Sequence, residues 1–156
     1  MTASIPVALW TSELFAVLEE TFERVQGIYL DKGTSLFETL ATVTAEEASR
    51  RISPQCAPLS AQVDHVRYYL DVLAAYMREQ PPTNVDWTLS WQRGAVSAEE
   101  WDTLQRDLRA SYEQVQALFK SYEAWDGEDG IGGALAIVVH TAYHLGEIRQ
   151  ALGVIR

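Results

Sequence analysis

The chain has a single cysteine, Cys56, so no disulfide forms within it and the composition suits a reducing compartment. Basic residues are scarce: 12 Lys and Arg stand against 22 Asp and Glu, for a net charge of −10. A surface of that sign offers no basic face to a phosphate backbone, and it disfavours docking on an anionic membrane. Nucleic acid and membranes are therefore not expected as partners. The opening MTASIPVALWTSELFAVLEE has no basic segment and carries acids from Glu13 on, so it does not read as a signal peptide. The most apolar run, Ile131 to Val139, is too short to span a bilayer. No repeat, low-complexity tract or long linker divides the 156 residues, so one domain with its own core is expected, located in the cytoplasm.

What is present is helical periodicity. Leu14, Leu18, Phe22, Val25 and Ile28 form a first apolar stripe, with Thr11 or Ser12 as its N-cap, a dent at Gly27 and a stop at Asp31 to Gly33. Three capping boxes follow. Ser35 with Glu38 opens a segment through Leu40, Thr44 with Glu47 opens one through Ile52, and Ser97 with Glu100 opens a long helix to about Trp125. Pro54 and Pro58 mark a loop, after which Ser60 caps a second long helix to about Glu79, ahead of Pro81 and Pro82. Trp87 and Trp91 lie in the next connection, where the pattern allows a short strand or hairpin. The last helix covers Ile131 to Leu152. Four long helices with moderate connections predict an all-α fold, an antiparallel four-helix bundle.

Histidine is the other scarce residue, with three in the chain: His65, His140 and His144. The last two are spaced i, i+4, so on a helix their imidazoles leave one face a turn apart. With His140 at zero and about 100° per residue, His144 falls near +40° and Glu147 near −20°, beside the small residues Gly133 and Ala151. That stripe is polar on a helix otherwise apolar in most directions. Two imidazoles and a carboxylate on a buried line need partners. His65 sits at the inward edge of the second long helix. If the two helices face each other, three neutral imidazoles converge and suit Zn²⁺ or Ni²⁺, with Fe²⁺ also possible. The alternative is three separate core histidines, each bonded to the backbone.

At these residues the sequence resembles a family. His140 to Leu152, HTAYHLGEIRQAL, resembles the last-helix motif of the DinB/YfiT-like superfamily, and Pro58 to Leu73, PLSAQVDHVRYYLDVL, resembles the segment with that family's first histidine. The order and spacing of the long helices agree over nearly the whole chain. The resemblance implies a four-helix bundle, often a homodimer, holding a divalent metal through His65, His140 and His144, all three of which are present. It also implies relatives that activate a low-molecular-weight thiol for transfer or isomerisation, alongside many members without an assigned reaction.

Two functions stay open on the sequence. In the first, a three-histidine metal with open positions makes a thiol or a water nucleophilic at neutral pH for S-transfer to, or hydrolysis of, a small-molecule substrate. Glu147 is then the candidate catalytic carboxylate, orienting a ligand or shuttling a proton, and Tyr69 and Tyr143 line the cavity. In the second, the bundle is a non-catalytic stress-response protein binding a metal or small ligand. A purely structural bundle would instead use Trp87 and Trp91 as a contact surface. Cys56 reads as an ordinary loop thiol with no basic residue near it in sequence, and Gly130, Gly132 and Gly133 read as permitting close helix packing.

Overall fold

Helix-forming segments punctuated by caps account for the architecture. The structure is a computed structural model that describes residues 5–127 and 129–156. Over these residues it is all-helical: α1 (Val7–Phe22), α2 (Leu36–Leu40), α3 (Ala45–Ser49), α4 (Leu59–Met77), α5 (Trp87–Ser90), α6 (Ala98–Lys120) and α7 (Gly130–Ile155). All three capping boxes form as the spacing predicts. In each, the hydroxyl accepts from the backbone N–H three residues on, and the glutamate accepts from the cap's own N–H. Each such cap contributes about 1 kcal/mol.

The four long helices bury their stripes on one another. α4 packs on α6 and α7, while α1 packs on α7 and α2. Leu18, Phe22, Leu70, Leu108, Tyr112 and Ile137 are fully enclosed. Phe22 stacks on Tyr112 with 4.5 Å between ring centroids. Each such side chain contributes about 1.5–3 kcal/mol on leaving water.

The boundaries depart from expectation where side chains capture backbone. α1 starts at Val7 behind Pro6, with no side-chain cap, and stops at Phe22 rather than near Asp31. Its buried Glu20 accepts backbone N–H groups from Gln26, Ile28, Tyr29 and Leu30, which folds that stretch into a loop and leaves Ile28 half exposed. α3 ends at Ser49, whose hydroxyl accepts from Val96 N–H at 2.9 Å, so Arg50 to Ile52 are not helical. α4 begins at Leu59 after Pro58. Ser60, expected as its cap, is inside the helix and donates to the Gly94 carbonyl at 2.6 Å. It stops at Met77, two residues before Glu79, whose φ is +59°.

α6 ends at Lys120. The expected continuation to Trp125 gives way to a turn because Trp125 folds back onto Trp10, Phe119 and Tyr122. Trp87 and Trp91 belong to no strand or hairpin. Asp86 caps the short helix α5 by accepting from Thr88 N–H and Thr88 Oγ1. Only α7 is longer than expected, running from Gly130 to Ile155.

α7 as a whole is long and apolar enough to cross a bilayer, which the nine-residue run within it had not suggested. Here it is packed against α1 and α4, with Gly133, Ile137, Leu145 and Ile148 buried. Gly133 permits that closeness, since a Cβ there would meet Met77 Cγ and Sδ at 2.8 Å. Gly132 faces open space.

Candidate metal centre

α4 and α7 bring the three histidines together. The ring centroids of His65 lie 5.0 Å from those of both His140 and His144, and those of His140 and His144 are 4.5 Å apart. One ligand nitrogen from each lies within 4.8 Å of the other two. His65 and His144 are buried, at 7% and 3% exposure, and His140 is half-buried. The i, i+4 face of α7 therefore meets the inward edge of α4.

Burial governs the protonation of the cluster. It pushes the His65 and His140 imidazoles down to about 4, and the neighbouring His144 adds to both shifts. Burial also lowers His144, against the opposing pull of the Glu147 carboxylate. All three rings are neutral at pH 7 and carry a lone pair, as a metal ligand must.

Each ring is held by neighbours. Nδ1 of His65 pairs with Ser90 Oγ at 2.9 Å, and Nδ1 of His144 pairs with Gln62 Oε1 at 3.0 Å and Glu147 Oε2 at 2.9 Å. Tyr69 stacks on His140 with 3.6 Å between centroids and planes 14° apart, and Trp91 stacks on His65 at 4.1 Å. Trp87 meets Tyr68, Tyr69 and His65 edge-on or tilted. Asp64, next to His65, is clamped by Arg67 and Arg93, and the Arg93 contact pins the segment after α5 onto α4.

One atom tests whether the residues fit a cation. Nε2 of His140 is buried without any hydrogen-bond partner, an arrangement that costs roughly 1–3 kcal/mol unless some ligand partners it. The Nδ1 atoms of His65 and His144 already have hydrogen-bond partners, so their Nε2 atoms are the nitrogens free to take a ligand. Three neutral imidazoles with one such orphan could hold a divalent metal ion. Among the described residues, no fourth His, Cys, Asp or Glu joins the cluster.

The sequence pattern of the DinB superfamily matches residues 30–148, about three quarters of the chain, including all three histidines. The chain belongs to the DinB superfamily. Its DinB match begins after α1 and ends within α7, so it covers all of α4 and the part of α7 that carries both of its histidines. A search of curated proteins found no match, and neither did a search of solved structures.

Sequence reasoning missed Ser90, Gln62 and the placement of both tryptophans. Gln62 lies one helical turn before His65, a spacing that places both on one side of α4 and was available as a signal. Nothing local to Trp87, Ser90 or Trp91 shows that a connection folds back over α4. Both tryptophans lie against the histidines, Trp91 stacked on His65 and Trp87 edge-on to it with its outer side exposed. Glu147 lies beside His144, and Tyr143 is exposed at the rim, its pKa raised by the Glu147 carboxylate. Cys56 sits in its loop, where Ser53 Oγ donates to its Sγ at 3.2 Å. Arg51 does come near, but it bonds the Cys56 carbonyl.

Proposed function

We propose that this DinB-superfamily protein is a metal-dependent enzyme of the cytoplasm, its four long helices forming an antiparallel bundle and its divalent ion, Zn²⁺ or Ni²⁺, held by His65, His140 and His144. The observation that carries this reading is the buried, unpartnered Nε2 of His140 facing two imidazoles whose outer nitrogens are already satisfied. A bound divalent ion supplies a Lewis acid that lowers the pKa of a thiol or a water at positions the protein leaves open. Glu147 holds the outer face of His144, and its half-exposed carboxylate is within reach of a proton released at the rim. Tyr69, Trp87 and Trp91 keep water from the rings. The substrate is a small molecule, either a low-molecular-weight thiol and its acceptor or a hydrolysable compound.

A second reading has an observation of its own. The cleft of about 480 Å³ lined by Tyr76, Met77, Tyr122 and Trp125 lies at the far end of α4, about 18 Å from His65 along the helix. The histidines instead lie beneath aromatic rings. Such a covered centre also suits a non-catalytic protein that stores or senses a metal or small ligand.

Metal analysis of tag-free protein by mass spectrometry tests the centre. One equivalent of a transition metal in the wild type, lost in His65→Ala and His140→Ala, is the expected result; a metal-free wild type after reconstitution overturns it. Turnover of a thiol or ester panel that is absent in His144→Ala separates the enzyme from the binding protein.

We further propose that the protein is a homodimer joined across the outer face of α7. Leu135, Val139 and Tyr143 are 47%, 65% and 62% exposed there, interspersed with Gly132, Gly146 and Gly153. Carboxylates are absent from the middle of this face on a chain of charge −10, so two copies can approach without repulsion.

A further inference from the structure

We infer that Ser90, together with Gln62 and Glu147, sets the tautomers of His65 and His144 so that both direct Nε2 lone pairs at the centre of the cluster before any metal arrives. The inference deepens the metal-centre reading and rests on it only for the consequence in metal affinity.

The hydroxyl of Ser90 has one proton and two neighbours. It donates to the Trp87 carbonyl at 3.0 Å, within its own short helix. With that proton spent, its oxygen accepts at 2.9 Å, so Nδ1 of His65 carries the hydrogen and Nε2 carries the lone pair. The opposite tautomer takes the proton from the Trp87 carbonyl and aims an Nε2–H into the cluster of imidazoles.

His144 reaches the same state by a different route. Its Nδ1 faces Glu147 Oε2 at 2.9 Å and Gln62 Oε1 at 3.0 Å. A carboxylate only accepts, so Nδ1 of His144 is the donor and its Nε2 is the free lone pair. Free imidazole in water samples both tautomers, and each ring fixed in advance spares the metal that selection. The two rings differ in redundancy. His144 has two acceptors, one from α4 and one from α7, whereas His65 depends on a single hydroxyl.

That hydroxyl comes from the connection between α4 and α6, and its place is built by contacts on either side. Asp86 caps α5, Arg93 Nε binds Asp64 Oδ2 at 2.8 Å, and Ser60 Oγ holds the Gly94 carbonyl at 2.6 Å. Ser60 and Asp64 lie within five residues of His65 on α4. The helix that presents the histidine thus also anchors the loop that orients it. Ser90 and Gln62 are positioning residues, acting through the rings they hold.

The test reads the tautomers directly in metal-free protein labelled with ¹⁵N at histidine, using long-range ¹H–¹⁵N correlation at pH 7.5. His65 and His144 are expected as Nδ1–H forms. Ser90→Ala is expected to release His65 to a mixture or to the Nε2–H form and to weaken Zn²⁺ binding about tenfold, with Ser90→Thr retaining the wild-type signature. Gln62→Ala alone is expected to leave His144 unchanged because Glu147 remains, while the Gln62→Ala, Glu147→Ala double variant releases it. An Nε2–H His65 in the wild type overturns the inference, as does a Ser90→Ala protein with unaltered tautomer and unaltered Zn²⁺ affinity. Should the wild type show the expected tautomers but take up no Zn²⁺, the tautomer assignment is upheld and the metal-centre reading alone falls.

Discussion

Glu20 accepts the backbone N–H of Tyr29 at 2.6 Å, nine residues along the chain, through a carboxylate with no exposure to solvent. The same oxygen accepts from Leu30, and its twin accepts from Gln26 and Ile28. Burial alone raises this group, yet the four donors outweigh it and draw the pKa down to about 2. Glu20→Gln puts an amide NH₂ against two of those N–H groups. The expected cost is about 3 kcal/mol in urea unfolding. A variant within about 0.5 kcal/mol of wild type would show that the carboxylate does not organise this loop.

Stability of the metal-free protein is expected to fall in acid through two windows. His65 and His140 have folded pKa values of about 4 against an ordinary 6.5, so between these limits the unfolded chain binds more protons. Stability from the neutral rings is therefore full above about pH 6.5 and is lost as pH falls toward 4. Glu20 behaves alike lower down: its contribution is full above its ordinary 4.5 and is lost as pH falls toward 2. The upper window amounts to on the order of a few kcal/mol. Urea midpoints measured from pH 7.5 to 4 should show the slope in wild type and a flatter profile in His65→Ala; equal profiles would refute the assignment.

The α7 face gives a sharper test of assembly. Val139→Glu puts a carboxylate at the middle of the uncharged strip, where symmetry sets it near its own copy. Light scattering after size exclusion should report a dimer for wild type and a monomer for the variant, with helicity unchanged. A wild type that is monomeric at micromolar concentration would remove this face as an interface.

Local chemistry made several elements legible. Ser35, Thr44 and Ser97 each lie three residues before a glutamate, and a capping box needs nothing further than that spacing and a helix to follow. His140 and His144 needed only the pitch of α7 to share a face. By contrast, the stripe from Leu14 to Phe22 continued in pattern to Val25 and Ile28, and nothing local revealed that Glu20 would take the backbone hydrogen bonds a helix requires there. The same limit hid Ser90, whose partner His65 lies 25 residues earlier.

The sequence by itself determined the helical class, the family and the candidate ligand set, because periodicity, caps and a motif are properties of neighbours along the chain. Only the tertiary structure decided where α1 ends, that Trp87 and Trp91 lie against the cluster, and which partners the Nδ1 atoms of His65 and His144 meet. These outcomes depend on which buried donor meets which acceptor across segments far apart in sequence, and that pairing exists only once the helices have packed.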